Sequence, residues 1–115
     1  MSLKLVPLRI SSGWRVTYNE FFEADPDSFV DENHKHAWEF KEDLLQLDHD
    51  RKRTLDLGWY PEFNPKGKYR LVLIDSEDKE QPDWENPLYV FETRNFKEII
   101  EKVEFVLNEV SYCRM

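Results

Sequence analysis

His34 and His36 are spaced as H-x-H, with Asp31, Glu32 and Glu39 close by. Side chains two apart share one face of a strand, so two imidazoles and a carboxylate there are the donor types that hold zinc. The same tract reads better as a polar loop or the start of a helix, and no metal is expected. Asp48-His49-Asp50 is a weaker version of the same idea, read as solvated positions at a hairpin end. Acid–base work needs two acids in different environments, one of them buried. With 24 acidic residues, pairs arise by chance everywhere, so spacing does not discriminate. There is no G-x-S-x-G elbow and no glycine-rich phosphate cradle. The three glycines, Gly13, Gly58 and Gly67, each have a turn or packing role to fill. Cys113, the sole cysteine, lies near the end of the sequence with no histidine near it, which makes it a poor nucleophile. These observations predict neither an enzyme nor a bound cofactor.

Charge says more than any triplet. The formal net charge of −8 disfavours nucleic acid and anionic membrane surfaces, and makes a basic protein the natural electrostatic partner. Its other use is to keep the chain dissolved. The negative charge is not spread evenly. From Glu20 to Asp50 there are 11 acidic residues against Lys35 and Lys41, and from Leu71 to Thr93 there are 7 against Lys79. Arg51 to Arg70 between them is basic, with six cationic residues and two acids. The second block, "DSEDKEQPDWENP", carries Trp84 at its centre. An aromatic inside an acidic loop offers a partner buried area, while the acids steer encounter. The other reading is that Trp84 folds back onto the core. Candidate partner-binding residues are therefore Asp25, Asp27, Asp31 and Glu32 in the first block, and Asp75, Glu77, Asp78, Asp83, Trp84 and Glu85 in the second.

The elements that must position these residues follow from periodicity. At 115 residues, with aromatic residues at 15%, the chain is long enough for one domain, 1–115, with a core of its own. Leu3 to Ile10 and Trp14 to Tyr18 alternate as strands, joined by Ser11-Ser12-Gly13 as a hairpin, with Pro7 marking an edge. A helix is expected to end near Phe40, and a strand to run from Leu44 to His49. Arg53 to Tyr60 is a strand with Leu55, Leu57 and Trp59 on one face. Asn64-Pro65-Lys66-Gly67 is a type I turn into a strand containing Tyr69, Leu71 and Leu73. That turn makes Trp59 a core residue and leaves Tyr60 and Phe63 able to reach a surface. Leu88 to Thr93 is a further strand. Asn95 caps a final helix whose Phe96, Ile99, Ile100, Val103, Leu107 and Val110 form one apolar stripe. The fold class is α+β: a mainly antiparallel sheet with the C-terminal helix packed on one face.

"LDLGWYPEFNPKGKYRLVLI", the Trp and Pro of "DWENP", "FETR" and the Ile/Val-rich last helix together resemble small cytosolic immunity proteins of bacterial polymorphic toxin systems, over about residues 43–110. The resemblance implies a protein that binds one cognate toxin domain, for example a nuclease, and occludes it without chemistry of its own. It carries over no binding residue, and its motif positions Asp56, Gly58, Trp59, Tyr60, Pro61, Gly67 and Tyr69 are read as structural. A single cysteine and the lack of a signal-peptide pattern or long apolar run fit a cytoplasmic location. A second reading is a small ligand-binding or regulatory domain. Tyr89 and Phe91 alternate away from Leu88 and Val90, so the second sheet face would offer aromatics to a ligand or to a second copy in a homodimer.

Overall fold

The computed structural model describes residues 4–26, 39–78 and 80–115. Five strands precede one helix: β1 (Trp14–Asn19), β2 (Leu45–His49), β3 (Arg53–Tyr60), β4 (Lys68–Asp75), β5 (Tyr89–Thr93) and α1 (Phe96–Ser111). Each strand pairs antiparallel with the next in chain order, β1-β2-β3-β4-β5. The fold is thus the expected α+β, with α1 against β4 and β5.

The period of two divides the sheet cleanly. Leu45 and Leu47 of β2, Leu55, Leu57 and Trp59 of β3, and Tyr69, Leu71 and Leu73 of β4 stand in register on one face. They join Ile99, Val103, Val106, Leu107 and Val110 of α1 in one buried cluster, with Phe21, Phe40 and Leu44 added from the segments flanking the early strands. Val106 is buried although the apolar stripe read from the sequence omits it. Helix α1 begins where Asn95 Oδ1 accepts the Glu98 amide at 2.8 Å. The Asn95 amide in turn donates to Thr93 Oγ1 at 3.1 Å, so the strand before the helix completes the cap. At the other end no basic residue sits in the last turn of α1. The sheet answers its carbonyls instead: Trp14 Nε1 and Ser11 Oγ each donate to Leu107 O at 3.0 Å, and Arg51 Nη1 donates to Val110 O at 2.8 Å.

The hairpin expected at Ser11-Ser12-Gly13 does not form. Residues 4–10 make only an isolated bridge, Leu5 with Phe22, and β1 pairs with β2. Pro7 cannot donate to a ladder, and this segment bonds elsewhere: the Val6 amide donates to Phe21 O, Lys4 O accepts the Glu23 amide, and the Arg9 amide donates to Glu104 Oε2, each at 2.8 Å. Gly13 does take the expected left-handed turn, at φ +91°, where a Cβ would lie 2.3 Å from His49 Nε2. The helix expected to end near Phe40 falls mostly on residues 27–38, outside the described ones, as do His34 and His36. The strands expected at Leu44–His49, Arg53–Tyr60 and Leu88–Thr93 are β2, β3 and β5 to within a residue.

The β3–β4 connection is the predicted turn, with the Gly67 amide donating to Asn64 O at 2.9 Å. Trp59 lies fully buried beneath it, its Nε1 donating to Asn64 O at 2.9 Å, and the Arg94 guanidinium sits 5.4 Å from the ring centroid. Tyr60–Pro61 is a cis peptide bond. Phe63, at φ +59°, is exposed, whereas Tyr60 is half-buried. Of the aromatics here, Trp59 is therefore the one that holds the hairpin together.

Candidate functional site

The second face of the sheet carries Gln46 and Asp48 from β2, Thr54 and Asp56 from β3, Arg70, Val72 and Ile74 from β4, and Val90 and Glu92 from β5. None of these joins the cluster beneath α1, although Thr54, Val72 and Ile74 are buried. Tyr89 and Phe91 are not on this face: they point to the helix side and pack against the core. Leu88, just before β5, and Val90 within it face outward instead, 52% and 42% exposed. The expectation of an aromatic second face is overturned, because it took the exposed and packed members of that alternation the wrong way round.

Two depressions lie on this face and share Gln46 as a wall. The larger, about 410 Å³, lies under the loop that follows β4 and is lined by Arg15, Asp48, Asp50, Thr54, Pro82 and Trp84 among others. Asp48 is fixed there by Thr54 Oγ1, which donates to its Oδ1 at 2.8 Å. His49 closes the inner end, with Nδ1 accepting the Arg51 amide and Nε2 bonded to Ser12 O, both at 3.0 Å. That arrangement puts its proton on Nε2 and leaves neither ring nitrogen for a metal or a proton transfer.

The loop itself is shaped by its own aspartates. Asp75 Oδ1 accepts the Glu77 amide at 2.9 Å, Asp78 Oδ1 accepts those of Glu80 and Gln81, and Asp83 Oδ1 accepts the Asn86 amide. Such side-chain-to-backbone bonds substitute for secondary structure in a connection of this length. Their effect is to hold out Trp84, 46% exposed, with Glu77, Glu80 and Glu85 exposed around it. Trp84 does not fold back into the core. Among the described residues no acid of this loop is in an ion pair; the three pairs present are Glu20–Lys41, Glu92–Lys68 and Glu109–Arg114.

Of the first acidic block, Asp25 is exposed and its charge acts on Tyr69 at the start of β4. The loop bearing Trp84 leaves the far end of that strand, so the structure does not bring Asp25 together with it. Asp27, Asp31 and Glu32 lie outside the described residues.

The smaller depression, about 300 Å³, is lined by Tyr18, Asp43, Gln46 and Asp56. Asp56 sits on the middle strand, opposite Gln46 on one side and Val72 on the other. Burial and the neighbouring Asp43 charge raise its carboxyl from 3.8 to about 6, with Arg70 opposing the shift. Gly58 is what admits Asp43. The backbone of 41–44 runs beside β3, with the Trp59 amide donating to Lys41 O at 2.7 Å, and a Cβ on Gly58 would lie 1.9 Å from Glu42 O. Tyr18 Oη donates to Glu20 Oε2 at 2.5 Å, and Lys41 Nζ bonds the same oxygen at 2.6 Å. The phenol is pushed up to about 12, chiefly by that bond to Glu20, and the same two partners hold the Glu20 carboxyl low. This depression therefore brings together two carboxylates, a phenol and an amide side chain.

Sequence reasoning placed Asp56 among structural motif positions and missed this site. The signal was there to read: a carboxylate alternating with Leu55 and Leu57 in the middle of an otherwise apolar strand. Asp43 had no such signal, since its approach depends on backbone packing at Gly58. Comparison of this chain with family models, with curated proteins and with solved structures finds no match. No helix among the described residues is long and apolar enough to cross a membrane.

Proposed function

We infer that this protein is a non-catalytic binder of the immunity type, which covers a basic surface of a cognate toxin domain with the second face of its sheet and the loop that follows β4. One observation carries the reading: Trp84 is held half-exposed at the centre of a loop whose aspartates bond their own backbone and whose acids have no cationic partner among the described residues. A loop already ordered loses little freedom on binding, so the aromatic's buried area goes into affinity. The unpaired acids speed encounter with a basic surface. The resemblance of residues 43–110 to immunity proteins supports the same reading, and so does the net charge of −8. The partner would be a protein, most simply one encoded beside this chain, in the cytoplasm of a bacterium.

Co-expression tests it. Cells producing the toxic product of the neighbouring reading frame should survive with this protein, and survival should fall when Trp84→Ala and Glu85→Lys are combined. Equal killing with and without the wild-type protein would refute the reading. A small molecule that saturates the 410 Å³ cavity with no protein partner involved would favour the ligand-binding alternative.

A further inference from the structure

In the smaller depression on the second face Arg70 acts on Asp56 from the neighbouring strand, but burial and the Asp43 charge outweigh it. Asp56 is fixed by backbone pairing to both neighbouring strands, and Asp43 is brought beside it by the close approach at Gly58. Neither carboxylate is in an ion pair among the described residues. Tyr18 forms an aromatic wall whose hydroxyl is committed to Glu20, and Gln46 Oε1, which accepts Thr17 Oγ1 at 3.2 Å, keeps a second lone pair. A planar cation can use every one of these groups: two carboxylates for its N–H donors, a carbonyl oxygen, and an aromatic side chain beside them. An ammonium would use the charge but not the plane. We propose that the depression lined by Tyr18, Asp43, Gln46 and Asp56 receives the guanidinium of one arginine side chain on the basic partner. This rests on the binding reading above and adds to it the residue type recognised and the place. Gln46 also walls the cavity under Trp84, so an arginine here and a contact at Trp84 belong to one continuous surface.

Desolvation supports the geometry. Asp56 is held near 6 with Asp43 facing it from the segment before β2, Arg70 from β4, Tyr60 from its own strand and Tyr18 from β1. An arriving cation relieves the repulsion between the two carboxylates, and its binding must compete with the proton on Asp56.

The test uses N-acetyl-arginine methylamide titrated into the full chain, followed by the amide resonances of Gln46, Asp56 and Gly58. At pH 7.5 these should shift together and saturate, while N-acetyl-norleucine methylamide leaves them in place. Because about a tenth of Asp56 is ionised at pH 5, the affinity there should be about tenfold weaker. Asp56→Asn should abolish the shifts while keeping the wild-type spectrum elsewhere, which shows that it folds. Shifts of the same size in Asp56→Asn, or with norleucine, overturn the socket. Against the protein partner, Asp56→Asn should weaken binding at least tenfold. If Trp84→Ala destroys that binding and Asp56→Asn leaves it unchanged, the socket falls while the binding reading stands.

Discussion

Asp56 is kept charged at neutral pH against its surroundings, and that has a measurable cost. Its carboxyl holds a proton more tightly folded, at about 6, than at its ordinary 3.8. The folded state therefore binds more protons than the unfolded one between those values, and this residue's effect on stability turns unfavourable as pH rises through that window. Asp56→Asn removes the effect. A rise from 3.8 to about 6 corresponds to about 3 kcal/mol at most, which solvent on the open side reduces to about 1–2 kcal/mol. Urea unfolding should show the Asp56→Asn variant more stable than wild type by that amount at pH 7.5, with the gap closing by pH 4. Gly58 works in the opposite sense. Gly58→Ala drives a methyl into Glu42 O, and should cost about 2–3 kcal/mol by the same measurement. It should also move the Asp56 carboxyl back toward its ordinary value by displacing Asp43, which a carboxylate titration followed by NMR detects.

At the scale of elements, the sheet-to-helix joint and the loop after β4 are held by different means, and the two should respond differently to mutation. Asn95→Ala removes the side chain that accepts the Glu98 amide at the α1 N-terminus and should cost about 1 kcal/mol of stability. Trp84→Ala should change stability by less than about 0.5 kcal/mol, since the ring stands away from the core. A large loss of stability in Trp84→Ala would mean that the ring is a packing residue after all. Most of this architecture was legible in the residues. Leu55, Leu57 and Trp59 alternate without interruption, and Asn95 stands three residues before Glu98, so β3 and α1 could be read from local pattern alone. What escaped depended on distant contacts. Residues 4–10 alternate like a strand, but with Pro7 among them they bond to residues 21–23 and, through Arg9, to α1 instead of joining the sheet. On β5 the sequence is apolar on both sides, and only the position of α1 decides that Tyr89 and Phe91 pack while Leu88 and Val90 face outward. The candidate site divides the same way: the acidic loop and Trp84 are contiguous in sequence, whereas Asp43 and Asp56 meet only through β2–β3 pairing and the missing side chain at Gly58.

For the molecule as a whole, two surfaces differ in kind. One face of the sheet is sealed by α1 and an aromatic-rich cluster; the other carries two depressions between polar side chains, with Thr54, Val72 and Ile74 buried on it, and is bordered by a preformed acidic loop. A basic partner approaching a chain of net charge −8 is drawn in by long-range attraction, which salt screens over roughly 8 Å at physiological ionic strength. The most direct measurement is the association rate between this protein and an inactivated form of its toxin partner, followed by stopped-flow tryptophan fluorescence from low to high salt. The account predicts a rate that falls at least tenfold between about 0.02 and 0.5 M salt, and a shallower dependence in Glu77→Lys combined with Glu85→Lys. A rate indifferent to salt, and equal in that variant, would contradict it.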